Sequence, residues 1–283
     1  MNFQTGQTKK AVFYKCLYKF AAMKASRSKY YKLSVCDGLE ALDATNHKTP
    51  FPSHYHPTFN ISLVYDGVFQ TKLNDRSVNA TPGTILVTNP QEIHANPCDK
   101  DDSLSFFTFY LSKDFLSYCN DGKPLGFDEK IIDNTGLFAT LNQLKLSLNN
   151  GEPPANFEAE LVKALNQMAA KHGSNGYHAE NGMHALFEEL LAQDNFEKFS
   201  LEDAAKRFGI DKFKFLRLFK FETGLTPNNY FILKRIEKSK TMLAEGGDLL
   251  GVAIDLGFYD TAHFCNHFKK FTGISPIAFT EGS

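Results

Sequence analysis

Between residues 30 and 112 the apolar positions come in short runs of β-branched and aromatic residues, each cut by a turn signal. In "NISLVYDGVFQTKLNDRSV", Asp66-Gly67 and Asn74-Asp75 mark hairpin tips, and "GTILV" and "SLSFFTFYL" follow. This spacing predicts an all-β domain over residues 30–126. Near residue 127 the period changes. "LFATLNQLKLSL" and, after the Gly151-Glu152-Pro153-Pro154 break, "NFEAELVKALNQMAAKH" place apolar residues three and four apart, which predicts two amphipathic helices within residues 127–172. The polar, glycine-bearing "HGSNGYHAENG" carries no period and reads as a linker, residues 173–182, ahead of a second domain at 183–283.

Beyond the linker every break is helical punctuation. Ser200 precedes "LEDAAKRF" with Asp203 three residues on, Gly209 follows it, and Asp211 caps "KFKFLRLFKFET", which Gly224 ends. Thr226-Pro227 starts the long "PNNYFILKRIEKSKTMLAE", which Gly246-Gly247 stops. The same order then recurs: "LLGVAIDL" closed by Gly257, Asp260 capping "TAHFCNHFKKFT", Gly273 ending it, and a last turn from Ser275-Pro276. Two helix-turn-helix units joined by one long helix account for the repeat. Each has a small residue where its helices meet, Ala205 and Ala253, and a glycine in its turn. Apolar anchors, Phe215, Leu218 and Phe219 in one unit and Phe264, Phe268 and Phe271 in the other, leave the opposite face free. That face offers Lys212, Phe213, Lys214, Leu216, Arg217 and Lys220 in the first unit and Thr261, Ala262, His263, Cys265, Asn266 and Lys269 in the second. Such side chains can address base edges or phosphates of double-stranded DNA. Phe213 reads equally as a contact to a thymine methyl and as part of an interdomain core.

At these residues the chain resembles the AraC/XylS family of bacterial transcription regulators. The resemblance rests on Gly257-Phe258, Asp260, Phe264, Phe268-Lys269-Lys270 and Gly273-Ile274-Ser275-Pro276, and it covers residues 183–283. It implies recognition helices in successive major-groove segments, a homodimer joined through paired helices, and RNA polymerase as a partner of an activator. Asn266 departs from the arginine common in the second recognition helix, while Arg217 keeps that place in the first. Gly251, inside the first helix of the second unit, costs about 1 kcal/mol against alanine and predicts that this unit is the softer one.

Charge sharpens the picture. The chain of 283 residues has a net charge of −1, yet residues 211–240 hold eight bases against three acids. A basic face of this kind is the footprint expected of a DNA binder. Residues 1–35 hold eight bases and no acid. Their first 29 residues read equally as an ordered arm or as a leader, with Met23 as an alternative start. No apolar run reaches the length of about 20 residues that a membrane span needs. The five cysteines form no C-x-x-C pair, so reduced thiols and a cytoplasmic protein are expected.

The N-terminal half carries "HYHPTFNISLVYDG" and "TPGTILVTNPQEIH". It resembles the cupin-like sensor domain of the same regulators, a small β-barrel enclosing a pocket. The fold class expected is therefore α+β and multidomain: a cupin-like β-barrel with flanking helices, then an all-α domain of two helix-turn-helix units. In metal-binding cupins His54, His56 and His94 are ligands beside a carboxylate, whose place Asn60 takes here. Three readings stay open: a metal site completed by water, imidazoles pairing with a small polar or anionic effector, or structural histidines. The effector reading, on His54, His56, Asn60 and His94, is carried forward with no metal and no cofactor. Leu141, Leu144, Leu148, Leu161 and Leu165 read equally as a dimer seam and as a cover for the barrel. The chain lacks G-x-S-x-G, H-E-x-x-H and a phosphate loop, so an enzyme, in the form of a metal-dependent cupin with a helical appendage, is the alternative rather than the expectation. A nucleoid-type DNA binder without an effector is a third reading.

Overall fold

In a computed structural model, residues 25–99, 102–148, 153, 155–174 and 200–282 are described. The basic segment up to residue 24 and the linker from residue 175 onward lie outside them. Among the described residues no helix is long and apolar enough to cross a membrane.

The strands are β1 (Arg27–Lys32), β2 (Glu40–His47), β3 (Phe51–His54), β4 (Phe59–Asp66), β5 (Phe69–Lys72), β6 (Ser77–Ala80), β7 (Ile85–Thr88), β8 (His94–Asn96), β9 (Leu104–Leu111) and β10 (Ile131–Ile132). They pair antiparallel in a six-stranded sheet, β1-β2-β9-β4-β7-β10, and a four-stranded sheet, β3-β8-β5-β6. From β2 to β9 the chain passes back and forth between the sheets, which makes a jelly roll. The expected closed barrel is thus an enclosure by two facing sheets; among the described residues no pairing joins them. Asp66-Gly67 is also corrected. It is a crossover between sheets and not a hairpin tip, because β4 and β5 do not pair. Asn74-Asp75 does join the paired strands β5 and β6.

Alternation along the six-stranded sheet sorts its side chains into two cores. Phe59, Ile61 and Leu63 of β4 face outward with Phe107, Phe109 and Val87. Helices α2 (Thr135–Leu148) and α3 (Phe157–His172) cover that face with Leu137, Leu141, Leu144, Leu148, Leu161, Leu165 and Met168, all buried. The five leucines left between two readings are therefore occupied within one chain. Val64, Leu86 and Phe106 point the other way, toward Phe69 and Ala80 of the small sheet. Three elements escape the sequence pattern: β1 begins inside the presumed leader, β10 has only two residues, and α1 (Lys113–Tyr118) is a short helix capped by Ser112. Each is too short or too polar to show a period.

The second domain follows its punctuation. Helices α4 (Leu201–Arg207), α5 (Lys212–Thr223), α6 (Pro227–Ala244), α7 (Leu249–Asp255), α8 (Thr261–Thr272) and α9 (Pro276–Glu281) start at Ser200, Asp211, Thr226, Asp248, Asp260 and Ser275, whose side chains accept the expected backbone N–H groups. The internal repeat extends to atoms. Thr223 Oγ1 donates to Phe219 O at 2.7 Å, and Thr272 Oγ1 donates to Phe268 O at 2.8 Å, one helical turn back in each unit. Gly224 and Gly273 end α5 and α8 at φ of 65° and 81°. Both press on the jelly roll: a Cβ on Gly224 would come within 2.9 Å of Ile93, and one on Gly273 within 3.1 Å of the Phe51 ring. The inner core of the jelly roll is accordingly continuous with the helical core.

Leu141 is fully buried between α2 and the sheet, so Leu141→Ala should destabilise the chain by about 2 to 5 kcal/mol in urea unfolding. Because the contact lies within one chain, the loss should not vary with protein concentration. A concentration-dependent loss would instead place Leu141 between subunits.

Candidate DNA-reading helices and histidine pocket

The two helices predicted to face DNA are held from behind. Phe215 and Phe219 of α5, and Phe264 and Phe268 of α8, are buried, which turns the opposite faces outward. On α5, Lys212, Lys214, Arg217 and Lys220 are exposed and Leu216 is half-buried; Phe213 is 64% exposed, so it is not part of an interdomain core. On α8, Ala262, His263, Asn266 and Lys269 are exposed, while Thr261 and Cys265 are half-buried. Lys212 Nζ lies 3.0 Å from Glu202 of α4, an exposed pair that water screens and a phosphate can replace. His263 holds back its Nδ1, which accepts the Tyr259 N–H at 3.4 Å. Sequence reasoning missed two exposed aromatics beside these faces, Phe221 at 82% and Tyr259 at 92%. The exposure of Phe221 follows from helix register and could have been read from the same period that buries Phe219, whereas Tyr259 lies in the turn before α8.

The glycine expected to soften the second unit lies at a helix cap. Gly251 sits in the first turn of α7, where Asp248 Oδ1 accepts its N–H at 3.0 Å and a Cβ would meet the Asp248 carboxylate at 2.8 Å. The glycine that looked like a defect belongs to the cap. From the long helix, Arg235 Nη1 donates to Gly257 O at 3.0 Å and its guanidinium lies over the Phe258 ring. This clamp ties the turn of the second unit to α6.

The histidines converge inside the jelly roll. His54 ends β3 directly opposite His94, which begins β8, and His56 follows on the connection to β4. Ring centroids of His54 and His94 are 4.3 Å apart, and those of His54 and His56 are 4.7 Å apart with perpendicular planes. His54 Nδ1 lies 2.6 Å from Pro52 O and His94 Nδ1 lies 2.8 Å from Glu92 O. A carbonyl oxygen only accepts, so both Nδ1 atoms carry the proton and Nε2 is the lone-pair atom of each neutral ring. Glu92 is fixed in turn by Lys130 at 2.8 Å. Burial, then repulsion from His94, holds His54 well below the usual histidine range; burial, then His54, does the same for His56; burial pushes His94 down to about 4. One potential ligand atom from each of the three rings lies within 4.8 Å of the others. Asn60 is buried on the same inner face, where its Oδ1 accepts the Thr58 hydroxyl at 3.2 Å. All four residues predicted for the effector site thus line one cavity.

That cavity is small, about 30 Å³, and one wall comes from the other domain: Phe271 of α8 faces His54 at 6.5 Å between ring centroids. A roomier cavity of about 310 Å³ shares Phe51, Phe69 and Asn96 with it and adds His47, Gln70 and Asn79. A third, of about 200 Å³, lies between the domains and shares His56 and Tyr110. There Lys240 donates to Glu237 at 2.8 Å, and Tyr30 donates to Glu40 at 2.5 Å. Burial would lower the Lys240 pKa, but Glu237 and Glu40 outweigh it and the net shift is upward. Lys240 and Tyr110 were not singled out from sequence, and Phe271 was read only as an anchor of its own unit. Tyr110 was legible, since it alternates inward with Thr108 on β9; the other two belong to helices whose partner face lies in another domain.

Residues 38–169 match the family model described as an AraC-like ligand binding domain, and residues 204–282 match one described as a helix-turn-helix domain. The chain is similar to the uncharacterized HTH-type transcriptional regulator YbfI of Bacillus subtilis, 25% identical over 225 residues that span 75% of this chain and 81% of the relative. It is also similar to the HTH-type transcriptional activator RhaS of Pectobacterium carotovorum, 25% identical over 259 residues, covering 83% and 90% of the two chains. Among solved structures, apo ToxT from Vibrio cholerae, in a lysine-to-alanine variant, superposes with a TM-score of 0.55 over 91% of this chain and 97% of its own, at 12% identity. The last similarity is one of fold.

Removing the clamp in Arg235→Met should cost about 1.5 to 3 kcal/mol in stability, the range for a hydrogen bond from a charged donor. Hydrogen exchange should quicken first in the turn around Gly257. Uniform quickening across the helical domain would show that Arg235 does not act on that turn in particular.

Proposed function

The chain belongs to the AraC family of helix-turn-helix transcription regulators, and we propose that it recognises a specific duplex sequence through α5 and α8 under the control of a small molecule bound in its jelly roll. The observation that carries this reading is the seam. The last turn of α8 supplies Phe271 to the wall of the histidine cavity. A ligand that changes that cavity changes the surroundings of a helix aimed at DNA.

In this reading Arg217 makes the principal base contact, Lys212, Lys214, Lys220 and Lys269 meet phosphates, and Phe213, Leu216, Thr261, Ala262, His263, Cys265 and Asn266 complete the contact faces. His54, His56, Asn60 and His94 belong to the effector site. The protein acts in the cytoplasm, as a homodimer and as an activator that engages RNA polymerase; it is a regulator and not a catalyst. Leucines of α2 and α3 already cover the sheet, so a dimer would use the outward faces of those helices. An effector shifts the population of domain arrangements only to the extent that it binds one of them more tightly.

Selection of the purified chain on a random duplex library at near-physiological salt tests this directly. Two short enriched boxes one helical turn apart are expected; retention that falls with salt without enrichment would overturn sequence reading. On the enriched duplex, Arg217→Ala should lose about 1 to 3 kcal/mol of binding and relax the preference at one position. Lys214→Ala should weaken all duplexes alike and lower the slope of log affinity against log salt by about 1. Equal behaviour of the two variants would remove Arg217 from base reading.

A further inference from the structure

We propose that the cavity between the two domains, walled by Tyr30, Glu40 and Tyr110 of the jelly roll and by Glu237 and Lys240 of α6, binds a small zwitterion of the amino-acid class. This site goes beyond the proposed function, which puts its effector on the histidines inside the jelly roll. It stands whether or not a duplex sequence is selected.

Charge leads to it first. The walls of this space of about 200 Å³ hold two carboxylates, Glu40 and Glu237, and one ammonium, Lys240. His56 is also on the wall and stays neutral, because burial and then His54 hold it well below the usual histidine range. Burial likewise keeps the Tyr30 and Tyr110 phenols protonated. Lys32 adds a second positive charge from outside the walls, within the field of Glu40 and Lys240, its Nζ 3.6 Å from the centre of the Phe279 ring. The surroundings are thus balanced overall, yet both signs face the cavity.

Spare hydrogen-bonding capacity comes second. Glu40 accepts the Tyr30 hydroxyl at 2.5 Å, and Glu237 accepts a Lys240 N–H at 2.8 Å. Among the described residues no donor reaches the other oxygen of either carboxylate, and neither the Tyr110 hydroxyl nor the remaining N–H groups of Lys240 have a partner. Tyr30, Tyr110 and Lys240 each feel both carboxylates, so these groups surround one space.

Charged groups held away from bulk water need partners. An ammonium suits the spare carboxylate oxygens, and a carboxylate suits Lys240 and the Tyr110 hydroxyl. A molecule with both completes the set. A lone anion meets two carboxylates against one wall ammonium, and a bare amine or metal ion meets Lys240. The space has room for several waters, which fits a small amino acid and excludes a nucleotide. Because the walls come from both domains, the ligand favours the present docking: moving α6 away from β1 and β2 removes part of its contacts.

The test uses the full chain in calorimetry and thermal unfolding with each of the standard L-amino acids, and with ethylamine and propionate as single-charge controls. At least one amino acid should bind once per chain and raise Tm. Both controls should bind at least about tenfold more weakly, the worth of one charge-assisted hydrogen bond. Glu40→Gln keeps an acceptor for Tyr30, and Tyr110→Phe removes only a hydroxyl. Each should weaken binding about tenfold or more, with far-UV circular dichroism unchanged. If Glu40→Gln does not fold, Tyr110→Phe carries the test. With the amino acid bound, hydrogen exchange should slow around Glu40 and around Lys240 together. No binding by any amino acid overturns the site, as does a control that binds equally well. Binding that survives the substitutions, or protection confined to one domain, overturns it too.

Discussion

The structure turns on one seam, where α8 runs out against β3. Phe271 has two neighbourhoods at once, the core of its own helix-turn-helix unit and the floor of a cavity in the other domain. Directly after it, Gly273 turns at a positive φ that an L side chain resists, and it does so against the Phe51 ring, where a Cβ would fit only if the ring moved. The first unit repeats this contact at Gly224 against Ile93. Both recognition helices therefore end on the sensor. Neither can shift without exposing apolar surface worth about 1.5 to 3 kcal/mol for each large side chain. Reversing a two-state population from 1:99 to 99:1 takes about 5.5 kcal/mol, so a few such contacts are of the size that a ligand can oppose.

Charge at the seam works with the packing. Lys240 and Glu237 from α6 meet Glu40 and Tyr30 from the sheet around the interdomain cavity. The bonds lie within each domain, and what crosses the seam is the attraction between Lys240 and Glu40 that helps hold the Lys240 pKa up. His56 and Tyr110 line this cavity and the histidine cavity alike, which places the polar cluster within one side chain of the three histidines.

Legibility followed the range of the interaction. The helical domain could be read almost residue by residue because caps are local: Ser200, Asp211, Thr226, Asp260 and Ser275 each satisfy N–H groups two or three residues on. In the β domain the period-two runs located the strands, but Asp66-Gly67 has the same composition whether it closes a hairpin or crosses between sheets. His54 and His56 were suggestive by spacing, and His94 joins them only through the β3–β8 register. Phe271 was illegible as a cavity wall, because its helical spacing is fully explained by its own unit. Gly251 misled for a related reason. A propensity scale charges glycine for the middle of a helix, whereas this one lies in a first turn where the Asp248 carboxylate needs the space.

These points alter how the two units divide the proposed work. Sequence alone made the second unit the weaker partner, since it carries Asn266 for an arginine and a glycine in its first helix. In the structure it is anchored at three places: Asp248 caps it, Arg235 clamps its turn, and Phe271 fastens its far end to the sensor. The first unit carries Lys212, Lys214, Arg217 and Lys220 on an open face, the larger share of exposed cation. Under the proposed function the division is then one of chemistry: α5 supplies most of the attraction and the arginine for base contact, and α8 supplies orientation. A recognition helix that contributes less to affinity can be the one that walls the histidine cavity, because a change in its position alters the register of the pair without releasing the protein from DNA.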